Sequence, residues 1–253
     1  MPIVEIKNLN LIYQSLKSET QALCDINLDI EKNEFVSIVG PSGCGKTTIL
    51  SILSGLLSPT SGTVLVQGKT PSTKNNSCGY MFQKDNLLPW RTIESNLYFG
   101  LELKHVKTKE RKKYAISLAE KYGIGEFLKK HPSELSGGMR QRVSLIRTLA
   151  LKPDILLLDE PFSALDYQTR LELCDHVYEI IKKEQKTAIL VTHDIQEAIS
   201  MSDRIIVLTS RPGTIKNIHK TNFDKNLTPF ERRQDEKAKK LFDVIWKEIK
   251  NEN

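Results

Sequence analysis

The run Gly40-Pro41-Ser42-Gly43-Cys44-Gly45-Lys46-Thr47-Thr48 has the spacing G-x-x-x-x-G-K-[ST]. Glycines at these places let backbone N–H groups curl around phosphate oxygens, and a helix opening directly after them adds the positive end of its dipole. In such a cradle Lys46 is expected to reach the β- and γ-phosphates and the Thr47 hydroxyl to ligate Mg2+. Further along, ILLLDE (Ile155–Glu160) is an apolar run that ends in two carboxylates. Asp159 is suited there to bind the water shell of the Mg2+ ion. Glu160, one step nearer the γ-phosphate, is suited to polarise an attacking water. A hydrophobic run ending in Asp-Glu is common by itself, and the cradle alone could be a Gly-rich turn with an exposed lysine. Together they predict binding and hydrolysis of a nucleoside triphosphate.

Leu135-Ser136-Gly137-Gly138-Met139-Arg140-Gln141-Arg142 is a second anion-binding pattern. Ser136, Gly137 and Gly138 open a helix, so they offer bare N–H groups and a hydroxyl to an anion. A second phosphate site in one chain makes sense if it faces a nucleotide held by another copy. Two copies closed head-to-tail then sandwich two nucleotides.

The cradle has to lie between a strand and a helix. FVSIVG (Phe35–Gly40) reads as a buried strand before it, and TTILSILSGLL (Thr47–Leu57) as a helix after it. Upstream, IVEIKNLNLIY and INLDI alternate apolar and polar residues as edge strands do, and TVLVQG and CGYMF (Cys78–Phe82) are two more strands. From about Trp90 to Ala150 the pattern turns helical, in SNLYFGLELKH, KERKKYAISLAEKYG and GMRQRVSLIRTLAL. ILLLD and TAILVT (Thr187–Thr192) then resume buried parallel strands around the helix RLELCDHVYEIIKK. The fold class expected is α/β: a mostly parallel sheet, an N-terminal antiparallel β subdomain and a helical subdomain insert. Asp194-Ile-Gln-Glu197 reads as an N-cap with a capping-box glutamate. KAKKLFDVIWKEIK puts Leu241, Phe242, Ile245, Trp246 and Ile249 on one stripe, to pack on the body of the protein or to meet a partner.

The 253 residues, 39% hydrophobic and 27% charged, are those of a globular protein rather than a disordered one. No run approaches the roughly 18–20 apolar residues that span a bilayer. MPIVEIKNLNLIY lacks the basic and apolar blocks of a secretory signal, so a cytosolic chain is expected. Cys24, Cys44, Cys78 and Cys174 show no metal-ligand spacing and read as free thiols. A net charge of +6 fits a nucleic-acid binder, a protein at an anionic membrane surface, or neither.

With the cradle, the Leu135–Gln141 run and the carboxylate pair in this order, the sequence resembles the ATP-binding cassette (ABC) ATPases over roughly residues 3–215. The resemblance implies a P-loop NTPase core within an ABC ATPase domain over residues 1–220, with the helical subdomain at about 88–150 and a C-terminal helical extension at 221–253. It makes Leu135, Ser136, Gly137, Gly138, Met139 and Gln141 the signature that meets ATP in the partner copy. Tyr13 stands where the family lays an aromatic ring on adenine, a stacking that suits either purine. Gln83 looks like the glutamine that senses Mg2+ and the γ-phosphate, and His193 like the histidine on the γ-phosphate. Ser163-Ala164-Leu165-Asp166 looks like the loop that crosses the dimer interface.

Asn86-Leu-Leu-Pro-Trp-Arg-Thr-Ile-Glu-Ser-Asn96 and His193–Ile215 resemble the subgroup that powers uptake of nitrate, alkanesulfonates, taurine and related solutes. What that implies is a peripheral subunit on the cytoplasmic face of the membrane, with ATP and Mg2+ as cofactors. Its partners would be a second copy, two membrane permeases and, indirectly, an extracytoplasmic solute-binding protein, with no nucleic acid. The alternative is a soluble ABC ATPase acting on nucleic acid or ribosomes. The solute, and the direction of transport, are not legible in the chemistry of the motifs.

Overall fold

A computed structural model describes residues 2–14, 18–73, 78–163, 165–224 and 226–251. The chain forms two compact units, Met1–Ser77 with Cys174–Asn253, and Cys78–Leu173.

In the first unit, β1 (Val4–Gln14), β2 (Glu19–Ile30) and β4 (Ser61–Val66) form an antiparallel sheet in the order β2-β1-β4. Its alternating residues bury Val4, Ile6, Leu9 and Leu11 along β1 and leave the polar positions outside. The other sheet of this unit is built on β3 (Phe35–Val39), flanked in parallel by β7 (Thr187–Val191) and β8 (Arg204–Leu208). β9 (Ile215–Lys220) adds an antiparallel edge to β8. Every residue of β3 and β7 is buried, as expected of strands covered on both faces. α1 (Lys46–Leu53) ends short of the helix expected to reach Leu57, because Gly55 turns the chain with φ +74.

The second unit pairs β5 (Cys78–Met81) in parallel with β6 (Ile155–Asp159). It also carries α2 (Ile93–Leu103), α3 (Lys109–Lys121) and α4 (Gly137–Leu149). Each begins on a hydroxyl that accepts a backbone N–H of the first turn: Thr92 from Ser95, Thr108 from Arg111, Ser136 from Met139. α5 (Tyr167–Lys183) contains the division between the units. The expected α/β class is therefore observed, with mostly parallel strands, an antiparallel β sheet near the N-terminus and a helical insert.

α6 (Ile195–Met201) starts on Asp194, whose carboxylate accepts from the N–H groups of Gln196 and Glu197. The expected capping-box role of Glu197 is not what is seen. The Asp194 N–H goes to the Thr192 hydroxyl oxygen at 3.0 Å, and that hydroxyl donates to Glu197 at 2.7 Å. A buried carboxylate takes the stronger inward donor rather than the backbone amide at the surface.

α7 (Pro229–Gln234) and α8 (Glu236–Lys250) lie in the first unit. Ile245 is fully buried in a cluster with Val39, Ile199, Ile205 and Val207, and Leu241, Phe242 and Ile249 pack against it. Of the expected stripe, only Trp246 turns outward, 53% exposed and stacked on Phe242. Among the described residues no helix is long and apolar enough to cross a membrane. Ile245→Ala should cost about 2–5 kcal/mol in urea unfolding, whereas Val244→Ala, on the exposed face, should stay within about 0.5 kcal/mol. Equal effects would show that α8 is not held by this stripe.

Candidate functional site

In the first unit the cradle joins β3 to α1. Strand register sets Ile38 beside Val191, so the chain leaves β3 towards Gly40 and leaves β7 towards His193 at the same sheet edge. α1 begins after Gly45, at φ +98, with no side chain capping it, and its first amides have no acceptor within the helix. Glycine suits this place, because φ +98 strains any residue with a side chain and a Cβ there would lie 2.5 Å from Cδ2 of Leu23. Lys46 is buried, and its ammonium donates to the carbonyl oxygens of Gly40 and Pro41 at 2.9 Å each. Among the described residues no carboxylate pairs with it, so the cradle holds a desolvated cation whose counter-charge must come from a ligand. The Tyr13 hydroxyl lies 3.1 Å from that of Thr48, and its ring is half exposed, which brings the expected stacking ring to the end of the cradle. Ser42, Gly43, Thr47 and His193 are exposed, and Pro41 is partly so.

Cys44 is buried in the cradle. Burial pushes its thiol pKa up, against the pull of the Lys46 charge. Burial likewise raises Cys78, to about 12, and Cys174. Since the thiolate is the nucleophile, N-ethylmaleimide at neutral pH should label the partly exposed Cys24 well before Cys44, as peptide mass spectrometry would read. Early labelling of Cys44 would contradict its burial.

In the second unit, the pairing of Met81 with Leu158 makes Gln83 and the carboxylates leave one sheet edge together. Asp159 is buried and accepts a hydrogen bond from the Tyr80 hydroxyl at 3.0 Å. Glu160 has φ +45, in the left-handed region that non-glycine residues adopt uncommonly. Its carboxylate accepts from the Gln83 amide at 2.9 Å, so two expected site residues are joined directly.

Ser136 caps α4, with Gly137 and Gly138 in its first turn and Met139 half-buried beside them. Leu135 and Gln141 are turned inward. Gln141 reaches the Gln83 carbonyl oxygen at 2.9 Å, so it serves its own chain. Asp166 is exposed and caps α5 through the Thr169 N–H, which holds its carboxyl below the usual range. Ala164, in the same loop, lies outside the described residues.

Two residues with no role expected from the sequence, Arg140 and Arg147, hold the loop after Gln83. Arg147 donates to the carbonyl oxygens of Asp85 at 2.7 Å and Asn86 at 2.8 Å. Arg140 pairs with the Asp85 carboxylate at 2.9 Å and also donates to the Leu135 carbonyl oxygen. With Gln141, these side chains tie the Gln83 loop to the helix that opens at Ser136. Their one legible sign was helical spacing, seven residues from Arg140 to Arg147.

The family model described as ABC transporter matches residues 23–163. This chain belongs to the ABC transporter family. It is an ATP-binding subunit of that family, and its activity is ATP hydrolysis. It is 48% identical to the ABC transporter ATP-binding protein YtlC of Bacillus subtilis, over 98% of this chain and 96% of the relative. It is 42% identical to the nitrate import ATP-binding protein NrtD of Synechocystis, over 84% and 80%. Identity to the taurine import ATP-binding protein TauB of Roseobacter denitrificans is 36%, over 96% and 94%. Among solved structures, the dimeric ATP-binding cassette MJ0796 bound to ADP and Pi aligns with TM-score 0.75 and 32% identity, covering 87% of this chain and all of that one.

Arg147→Ala would leave two loop carbonyls unpaired without touching the cradle. It should cut the ATPase kcat about tenfold or more while nucleotide Kd stays within about threefold. An unchanged kcat would remove the Arg147 brace from the account of catalysis.

Proposed function

We propose that this chain is the ATP-hydrolysing subunit of an importer for a small solute of the nitrate, sulfonate or taurine kind, acting through separate membrane permeases. The observation that carries the import reading is its similarity, along most of its length, to nitrate and taurine import subunits. The solute within that group would be chosen by the permease and the binding protein.

The site residues divide the chemistry between them. The cradle, Gly40 to Thr48, would bind the phosphates through its amides and Lys46, and Tyr13 would stack on the purine. Glu160 would accept a proton from the attacking water as its oxygen bonds to the γ-phosphorus and the bond to the β,γ-bridging oxygen breaks, leaving ADP and phosphate. His193 would contact the γ-phosphate and Gln83 would sense it. Thr47, Gln83 and Asp159 are oxygen donors of the hard type that suits Mg2+, an ion usually shared between one or two carboxylates and substrate phosphates. When bound, that ion would neutralise charge on the phosphate chain.

A second copy would complete each site. Ser136, Gly137 and Gly138 would meet its nucleotide at the start of α4, and Asp166 would lie at the dimer interface. The dimeric cassette MJ0796 supports this assembly. Trp90, 72% exposed in the loop after Gln83, would receive a permease segment at the cytoplasmic face.

Glu160→Gln should lower steady-state ATPase at least about a hundredfold while retaining ATP, and Lys46→Ala should lose ATP binding. The tagged chain, carrying Glu160→Gln and extracted from its own cells with mild detergent and ATP, should bring down a multi-span membrane protein in near-equal amount. Recovery with DNA, RNA or ribosomes instead would overturn the transporter reading.

A further inference from the structure

The turn after β8 carries an arginine to which no role has been given. β8 lies beside β3, with Val39 opposite Val207, so the chain that continues into Thr209–Thr214 leaves the sheet at the same edge as the cradle. The turn is closed on itself, the Thr209 N–H donating to the Thr214 carbonyl oxygen at 3.0 Å and the Thr214 N–H to the Thr209 hydroxyl oxygen at 2.9 Å. It is also fastened to β2: the Gly213 N–H donates to the Ala22 carbonyl oxygen at 2.9 Å, and the Cys24 N–H to that of Gly213 at 3.0 Å.

The contact with the cradle is close. A Cβ at Gly213 would fall 2.0 Å from the carbonyl oxygen of Cys44, and a Cβ at Gly40 would fall 2.9 Å from that of Leu208. Only a residue without a side chain lets the turn lie this near the backbone of the cradle. This packing sets where Arg211 points. A Cβ at Gly43 would be 3.1 Å from Nη2 of Arg211, so the guanidinium rests against the cradle itself. Arg211 is exposed, and among the described residues it has neither an ion pair nor a hydrogen bond. A rigid turn therefore presents an uncompensated cation against the backbone of the cradle at Gly43, and the cradle's own buried ammonium, Lys46, also lacks a carboxylate among the described residues. An anion held in the cradle would answer both charges.

We infer that Arg211 is a nucleotide-binding residue, a second cation on the phosphate chain held by the cradle. The inference rests on the reading of residues 40–48 as the phosphate site. Guanidinium suits the task, since its forked donors match phosphate oxygens and it stays charged at every working pH.

The test is calorimetric titration of the full-length chain with Mg2+ and either ADP or the non-hydrolysable β,γ-imido analogue of ATP. Arg211→Gln should raise Kd about tenfold for both nucleotides, and Arg211→Lys should recover most of the loss. The fall in affinity between low and high salt should be shallower for Arg211→Gln than for the parent. Arg211 lies at the surface, so both variants should melt within about 2 °C of the parent when nucleotide-free. Binding by Arg211→Gln within about twofold of the parent would overturn the inference, as would equal weakness of the Gln and Lys variants. A parent that binds neither nucleotide would overturn the reading of the cradle, and this inference with it.

Discussion

The first amides of α1 have no acceptor within the helix, and the lysine that opens it is buried without a carboxylate among the described residues. Both conditions are costly in a folded chain, and both are relieved by one event, the arrival of a polyanion. The surrounding structure maintains that state. Gly45 leaves no side chain to cap the helix, Leu23 presses on it from β2, and Gly213 brings a second turn against the cradle backbone. Lys46 is parked on two carbonyl oxygens of its own loop, which satisfy its donors but not its charge. Binding is therefore prepared by burial and backbone geometry rather than by a flexible basic surface.

A different constraint shapes the second unit. The Gln83 loop has an irregular backbone, and its carbonyl groups need donors. α4 supplies them from Arg140, Gln141 and Arg147, so the segment bearing Gln83 and the helix opening at Ser136 are mechanically joined. Gln83 in turn holds the Glu160 carboxylate. The residue that would sense nucleotide, the base that would act on water and the helix that would meet the partner copy thus share one hydrogen-bonded chain. Any displacement of the loop would be felt at both ends.

The C-terminal helices follow from ordinary packing. The α8 stripe closes over β3 and β8, and Arg232 of α7 is sandwiched between Tyr178 and Phe223, its charge spread over rings and carbonyl groups. Since β3 leads directly into the cradle, this cover steadies the strand on which phosphate binding depends. Residues of α8 that face outward, Val244 and Trp246 among them, contribute little to that support.

The sequence by itself determined the α/β class, the ABC ATPase family and the segments proposed to carry the chemistry. Those features are local: glycine spacing, a strand ending in carboxylates, hydroxyls before helices, apolar periodicity. The helix after the cradle was legible, but its end at Leu53 was not, because the apolar pattern runs on past the turn at Gly55. Only the tertiary structure decided which distant residues meet. Tyr13 reaches Thr48, Arg147 reaches Asp85, and Arg211 reaches Gly43 because separate strands and helices deliver them to one place. It also turned Leu135 and Gln141 inward and sent Glu197 to Thr192 rather than to its own helix cap. Burial and competition among donors govern such choices, and neither is written in the spacing of a single segment.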